Sequence, residues 1–459
     1  MPRLYVRLSL ADRSFLRLEY PGGPEHVAAI CRVDPRPLLD KTGELDMAMI
    51  RRRLERRLER VPELRRIVHH PPPLGGPALW VDDPAFAIDR HIRTAVVAPP
   101  GDEGSILTTA EQILGSLLDR SHPLWELWFL TGVEGGRIAM LLKIHHAIAD
   151  GLAAVALIAS LLDLEPDALD PSAAEWRPAP APAGGRLVLD NLRFRMTSLT
   201  SFIARPVTHM RSVVADLVEW KRMFSLSTAA PKSSLNVLVG SKRRAHVLHL
   251  DLETARTVAH THRAKVNDLI LAVVAGGVRE LLIARGELTD RLELVAAVPA
   301  TLRSAKAARD LGNGAGGIAI RLPVGVADST RRLDLIAASA RIAKAEQKPA
   351  SVQALMDWLG AAGLSRWFVE RQRMINLIVT NVPGPPQPLY VLGARIEDVT
   401  PIVGTAGNVT LVFAALSYCG RLNLVVNADA TACPDIDVLV AGMDRTWAEL
   451  TGATMPLGT

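Results

Sequence analysis

A chain of 459 residues is too long for one ordinary core, so two or three domains are expected. With 49% apolar and 22% charged residues it reads as globular, which excludes a disordered chain, and aromatics at only 4% leave Ala, Val, Leu and Ile to build the core. Fifty-three basic residues against 48 acidic ones leave +5, a mild excess that suits an anionic cofactor or membrane surface, and no nucleic-acid motif accompanies it. Cys31, Cys419 and Cys433 form no CxxC pair, which argues against a disulfide framework or structural zinc and for a reducing, cytoplasmic compartment. The N-terminus lacks a charge-free apolar core of the signal-peptide kind, and no uncharged apolar run reaches about 18 residues. Any membrane contact is therefore expected to be peripheral.

Residues 1–170 mix strand and helix patterns. Met47 to Arg60 predicts an amphipathic helix with a solvated basic face, and Ala110 to Asp119 predicts another leading into Ser121-His-Pro-Leu-Trp-Glu126. Arg137 to Ile144 predicts an apolar strand. Residues 171–185 are rich in Pro, Ala and Gly and read as a partly extended linker. Leu187 to Phe224 reads as one or two long helices broken at Pro206, with Arg193, Arg195, Arg205, Arg211, Lys221 and Arg222 among apolar residues; it bridges two domains or lies on a membrane surface. The division expected is 1–170, 171–239 and 240–459. In the last part, His246 to Leu252 alternates as a strand, and Asn267-Asp268 opens a buried helix running to Ile283. Strands are expected at Leu292–Val298 and Leu377–Val382. Thr410–Tyr418 and Arg421–Asn427 predict a hairpin, and a terminal helix runs from Pro434 towards Leu450.

The most informative stretch is His145-His-Ala-Ile-Ala-Asp-Gly151, at the end of the predicted strand and before the apolar run Leu152–Leu162. Adjacent residues on an extended backbone point to opposite faces, so one histidine faces a core and the other something else. An imidazole near neutral pKa is a general base for a hydroxyl, and an aspartate four residues on either orients it or braces the turn. A His pair at a strand end is by itself more often structural. His69-His70, before Pro71-Pro-Pro and without Asp-Gly, reads as a loop. No Gly-x-Ser-x-Gly, reactive cysteine or metal-ligand spacing accompanies the motif, which favours direct transfer over a covalent intermediate or a metal hydrolase.

His145 to Gly151 resembles the HHxxxDG signature of the CoA-dependent acyltransferase superfamily. Further segments narrow the likeness: Leu8 to Leu16, Pro123-Leu-Trp-Glu126, Asn267-Asp268, Thr380-Asn-Val-Pro-Gly-Pro385, Pro388 to Arg395, and Leu416 to Asn423. In this order, from about residue 7 to about 450, they resemble the bacterial wax ester synthase/acyl-CoA:diacylglycerol acyltransferase family. The resemblance implies an α/β fold of two chloramphenicol-acetyltransferase-like domains, each a mixed sheet flanked by helices, facing one another across a tunnel. Acyl-CoA would serve as co-substrate, with no further cofactor, and the acceptor would be diacylglycerol or a long-chain alcohol. His146 would deprotonate the acceptor, His145 would pack inward, Asp150 would brace the turn or orient the histidine, and Gly151 would permit it. Asn267, Thr380 and Asn381 are candidate oxyanion donors, although Asn267 also reads as a helix cap and residues 380–385 as a rigid turn. Trp125 lines the acyl passage or anchors a core. Pro299-Ala-Thr-Leu-Arg303 departs from the family's expected Val-Ser-Leu-Arg. The implied setting is a peripheral membrane or lipid-droplet surface. Competing readings are the same chemistry on a polyketide or glycolipid hydroxyl, and a non-catalytic lipid-binding protein.

Overall fold

Runs rich in Val, Ile, Leu and Ala form the strands, and capped or wholly apolar runs form the helices, in a computed structural model that describes residues 5–149, 157–171, 176–204, 229–301, 315–345, 359 and 363–452. The first half supplies β1 (Val6–Arg7), α1 (Leu10–Leu18), β2 (His26–Val33), α2 (Met47–Arg57), β3 (Arg66–His69), β4 (Leu79–Asp82), β5 (Ile92–Val96), α3 (Glu103–Gly115), β6 (Trp125–Thr131) and β7 (Ile138–His145). Next come α4 (Gly184–Ala204), β8 (Arg243–Asp251), α5 (Leu252–Thr261), α6 (Val266–Ala284), β9 (Leu294–Thr301) and β10 (Ala315–Leu322). The remainder is α7 (Ser329–Ala345), α8 (Ser365–Arg371), β11 (Leu377–Pro383), β12 (Tyr390–Val391), β13 (Ala394–Val403), β14 (Leu411–Tyr418), β15 (Arg421–Asp429) and α9 (Ile436–Thr451). His69 closes β3 opposite Leu79, where the sequence pattern predicts a loop.

Two six-stranded sheets carry the fold, in the orders β12-β13-β2-β7-β6-β5 and β10-β9-β11-β14-β15-β8, and β1-β4-β3 form a small third sheet. Sequence grouped residues 390–403 with the second half. Instead β13 pairs antiparallel with β2, Thr400 opposite Ile30 and Ile402 opposite Ala28, so the second half lends a strap to the first sheet. In the second sheet β11 runs parallel to β9 and β14, and β14 and β15 form the expected hairpin. Its turn sits at Cys419 and Gly420, with φ of 48° and 85°.

Helix starts follow side-chain chemistry. Ser9 Oγ accepts the Asp12 N–H at 3.1 Å while Asp12 Oδ2 accepts the Ser9 N–H at 2.9 Å, a reciprocal box that fixes α1. The start of α6 differs from the Asn-Asp cap expected. Lys265 occupies the cap position and Asp268 Oδ2 accepts its N–H at 2.9 Å, which leaves Asn267 inside the first turn. Helix α6 is apolar on nearly every face and lies in the second core. It meets α9 at Gly276 and Gly277, where an added Cβ would come within 1.9 Å of Thr446 Oγ1 and 2.3 Å of Met443 Cγ. Only glycine allows that approach.

The basic face of α2 is not wholly solvated. Arg57 is fully buried, with Nη1 2.6 Å from Asp163 Oδ2 and Nη2 2.9 Å from Asp170 Oδ1. It pins the segment that follows the motif loop. Helix α4 covers the first part of the long basic stretch; the rest, from 205 to 228, lies outside the described residues, as does the Pro299–Arg303 departure beyond Thr301. Among the described residues no helix is long and apolar enough to cross a membrane.

The halves also meet through charge. On β8, His249 Nε2 lies 3.0 and 3.2 Å from the carboxylate oxygens of Glu103 on α3, and Nδ1 lies 2.8 Å from Asn423 Oδ1. The Glu103 contact lifts the imidazole from 6.5 to about 8, against the opposing effect of burial. A raised folded-state pKa gives stability that is complete below the unfolded value and lost as pH rises through the folded one. The ring is half exposed, so its contribution stays below about 1 kcal/mol. The melting-temperature difference between wild type and His249→Ala is expected to be largest below about pH 6.5 and to vanish above about pH 8. A difference independent of pH would exclude the ion pair as its source.

Candidate functional site

Strand β7 pairs with β2 in a register that sets His145 opposite His26, Ile144 opposite Val27 and Leu142 opposite Ala29. The ladder extends one residue beyond the strand, because the His146 N–H donates to the Glu25 carbonyl at 2.8 Å. Strand alternation therefore still holds at His146. Lys143 and His145 share the face covered by α3, and Leu142, Ile144 and His146 share the other. The structure thus separates the two histidines.

Three contacts fix His145, which is fully buried. Its N–H donates to the Leu124 carbonyl at 3.0 Å, its carbonyl accepts the Ile148 N–H at 2.9 Å, and its Nδ1 accepts the Ala147 N–H at 2.9 Å. An accepting Nδ1 places the proton of the neutral ring on Nε2. That nitrogen faces Glu19 Oε1 at 3.4 Å. His26 Nε2 faces the same oxygen at 3.4 Å, and His26 Nδ1 lies 3.2 Å from the Leu114 carbonyl. The other carboxylate oxygen of Glu19 accepts from Arg120, at 2.9 Å from Nη2 and 3.3 Å from Nε. Burial alone would raise the Glu19 pKa; the contacts with His145, His26 and Arg120 outweigh it and hold the carboxyl well below the usual carboxylate range. His26 is pushed down by burial, against the pull of Glu19.

His146 stacks on Phe15, with ring centroids 4.1 Å apart and planes 15° apart. Phe15 and Glu19 are one helical turn apart, so the end of α1 meets both histidines. Glu25, whose carbonyl holds His146, has its own carboxyl raised to about 7 by burial and then by the Glu19 charge. Lys143 is buried, and its ammonium donates to the Ile113 and Ser116 carbonyls at 2.9 and 2.7 Å, at the end of α3 where a cation is favoured.

Two of the cavities between the halves flank this strand pair, one on each face. On the His146 face, about 520 Å³ is lined by Leu142, Ile144, Ile158, Thr380, Ala414 and Leu416 among others, almost all apolar. On the His26 face, about 620 Å³ is lined by His26, Glu111, Ser241, Arg243, Arg244 and Asn427 among others. Val403, on the strap strand β13, borders both. Burial raises Glu111 to about 7, and its carboxylate accepts the Ala245 N–H at 2.6 Å.

The sequence candidates divide accordingly. Thr380 lines the apolar cavity. Asn381, its neighbour on β11, sits on the opposite strand face, and Asn267 lines neither cavity. Trp125 is a core anchor and lines neither cavity: it is 1% exposed, its Nε1–H donates to the Leu64 carbonyl at 2.7 Å, and it stacks on His91 at 4.5 Å. Asp150 and Gly151 lie outside the described residues. Glu19, His26 and Arg120 were not found from sequence. The one signal for α1 was the Ser9-x-x-Asp12 box and Phe15 within the Leu8–Leu16 segment.

Residues 8–270 match the wax ester synthase/diacylglycerol acyltransferase catalytic domain, and residues 311–451 match the C-terminal domain of the same family. The chain is 32% identical over 458 residues to a probable diacylglycerol O-acyltransferase of Mycobacterium tuberculosis, covering 96% of this chain and 97% of the other. It is 29% identical over 384 residues to the O-acyltransferase WSD of Acinetobacter baylyi, covering 80% and 81%. Among solved structures, the wax ester synthase/diacylglycerol acyltransferase from Marinobacter aquaeolei superposes with a TM-score of 0.69 at 21% identity, covering 98% of this chain and 100% of that one. The starter condensation domain of rhizomide synthetase, solved with C8-CoA and Leu-SNAC, gives 0.63 at 15% identity, covering 98% and 94%. Both show the two-domain α/β fold expected from sequence.

Trp125→Phe removes the donor to a buried carbonyl and leaves the ring contacts. The expected loss is about 1–3 kcal/mol of unfolding free energy by denaturant titration. KM for the acyl donor should not change; a rise in KM without a loss of stability would return Trp125 to the substrate passage.

Proposed function

Since this chain belongs to the wax ester synthase/diacylglycerol acyltransferase family, it is an acyl-CoA-dependent acyltransferase, and we propose that it moves a long-chain acyl group to the hydroxyl of diacylglycerol or a fatty alcohol. Acyl-CoA is the co-substrate and no further cofactor is invoked. The observation that carries this reading is the position of His146. Its N–H carries the β2–β7 ladder one residue past the strand that brings Leu142 and Ile144 to the apolar cavity between the two halves. A cavity with this almost wholly apolar lining suits an acyl chain better than a polar metabolite.

In this reading His146 takes the proton of the acceptor hydroxyl as its oxygen attacks the thioester carbonyl. A tetrahedral oxyanion forms. It collapses with cleavage of the C–S bond, the thiolate takes the proton from His146, and free CoA leaves with the ester. No covalent acyl-enzyme is needed, because the thioester is already an activated donor. Thr380 is the oxyanion donor favoured among the sequence candidates, since it borders the same cavity as Ile144. The resemblance would give Asp150 the role of bracing the turn or orienting the histidine, and Gly151 that of permitting the turn.

His146→Ala is expected to lower thiol release from palmitoyl-CoA with diacylglycerol or hexadecanol by about 100- to 10,000-fold. Full turnover by the variant, or none by wild type on either acceptor, would sink the reading. Turnover of wild type on a polyketide or glycolipid alcohol alone would move the acceptor class.

We also propose peripheral attachment to a cytoplasmic membrane or lipid-droplet surface through α4. Leu189, Leu192 and Met196 are exposed there beside Arg186, Arg193 and Arg195. Co-sedimentation with anionic vesicles is expected to fall as salt rises and to weaken in an Arg193→Glu, Arg195→Glu variant. Binding indifferent to both would refute the attachment.

A further inference from the structure

Three buried polar atoms converge at the end of the β2–β7 pair: Glu19 Oε1, His26 Nε2 and His145 Nε2. None has a closer hydrogen-bond partner among the described residues, and both nitrogens stand 3.4 Å from the one oxygen. Glu19 and His145 are about 1% and 0% exposed at the side chain. The cluster lies off the apolar cavity, on the other face of the strand from His146, so neither the motif nor the proposed chemistry accounts for it.

The hydrogen-bond inventory says what the cluster does. The Ala147 N–H can only donate, so the His145 Nδ1 carries none, and the His145 proton sits on Nε2, aimed at Glu19. Arg120 fixes the other Glu19 oxygen and also donates to the Leu16 carbonyl at 2.7 Å, tying the carboxylate to the end of α1. The chain of contacts runs from Arg120 through Glu19 to His145 and then to the Ala147 N–H. That last bond, with the Ile148 N–H to His145 carbonyl bond, shapes the turn that presents His146. A second path runs from α1 through Phe15 to the His146 ring itself.

We propose that Glu19 is a positioning residue for acyl transfer: it holds His145 in the Nε2-protonated tautomer, so that the 145–148 turn sets His146 against the cavity, and its charge steadies the imidazolium that forms on His146. This rests on His146 being the reacting base. Glu19 touches no substrate, and its effect passes through His145. In the low-dielectric interior a buried carboxylate retains much of its field, because little water screens it. A negative charge raises the pKa of a nearby imidazole. Neutralising Glu19, with the Arg120 charge left in place, therefore lowers the pKa of His146.

The test uses the full chain carrying Glu19→Gln and Glu19→Asp, with thiol release and nitrogen NMR of 15N-labelled histidine. Glu19→Gln is expected to lower kcat by about 100-fold, the loss that a misplacement on the order of 1 Å produces, with KM for palmitoyl-CoA and the acceptor unchanged. The acid limb of its pH–kcat/KM profile should move to lower pH. His145 should lose its Nε2-protonated nitrogen pattern. Glu19→Asp, which keeps the charge, should recover part of kcat and return the acid limb towards wild type. A wild-type tautomer pattern at His145 in Glu19→Gln overturns the proposal whatever His146→Ala does, and so separates its failure from that of the base. An unmoved pH profile, or a loss confined to KM, overturns it as well. If Glu19→Gln fails to fold, an Arg120→Gln variant releases the same carboxylate from the surface side. A wild-type His145 pattern and kcat in that variant would overturn the proposal too.

Discussion

The antiparallel register of β2 and β7 is the constraint from which the site follows. Because His26 pairs with His145 and the ladder runs on through the His146 N–H, neighbouring histidines are sent to opposite faces of one sheet. A slip of one residue would exchange them, moving His145 out of the charged interior and bringing His146 into it. The register is held on both sides. Apolar residues from Ile138 to Ile144 fill two different cores, and the buried Lys143 is held by the carbonyls at the end of α3 and by Glu126 on the neighbouring strand.

The same strand pair also explains why the cavities lie between the halves. Strand β13 leaves the second half and joins β2, so the first sheet cannot be completed without the second half. Val403 then borders a cavity on each side, and residues from both halves line each one. Substrates approaching from opposite faces of β7 would meet at its end, where the turn holds His146. The strap ties the geometry of that meeting point to the relation between the two sheets. The His249–Glu103 contact acts on the same relation from further along the interface.

Much of this was legible in the sequence where periodicity is strong. The alternation that separates His145 from His146, the hairpin at Cys419-Gly420 and the apolar α6 each follow from local pattern. Where local rules compete, the structure departs from the pattern. Asn267 looked like a cap, but the reciprocal bond from Asp268 moves the cap to Lys265. Arg57 looked like one arginine on a solvated face, and nothing local announces Asp163 and Asp170. Local pattern cannot choose between the two roles of Trp125, because the Leu64 carbonyl it bonds is 61 residues away. Glu19 was invisible for the same reason. Its partners are His26, Arg120 and His145, and the Arg120 contact alone spans 101 residues.

A buried carboxylate among two imidazoles and a guanidinium is an expensive way to hold a helix against a sheet. Removing such charges from water costs several kcal/mol for each ion, and apolar residues of similar volume commonly serve stability as well or better. Phe15 shows that the end of α1 already has an apolar contact with the motif. What an apolar contact cannot do is choose between the two nitrogens of an imidazole. A ring held only by packing can turn over and present Cδ2 where Nδ1 stood, and the Ala147 N–H would then lose its acceptor. A carboxylate on one edge and a backbone N–H on the other permit a single orientation and a single tautomer. The arrangement around His145 is therefore better explained by the need for a fixed turn beneath His146 than by any gain in folding free energy.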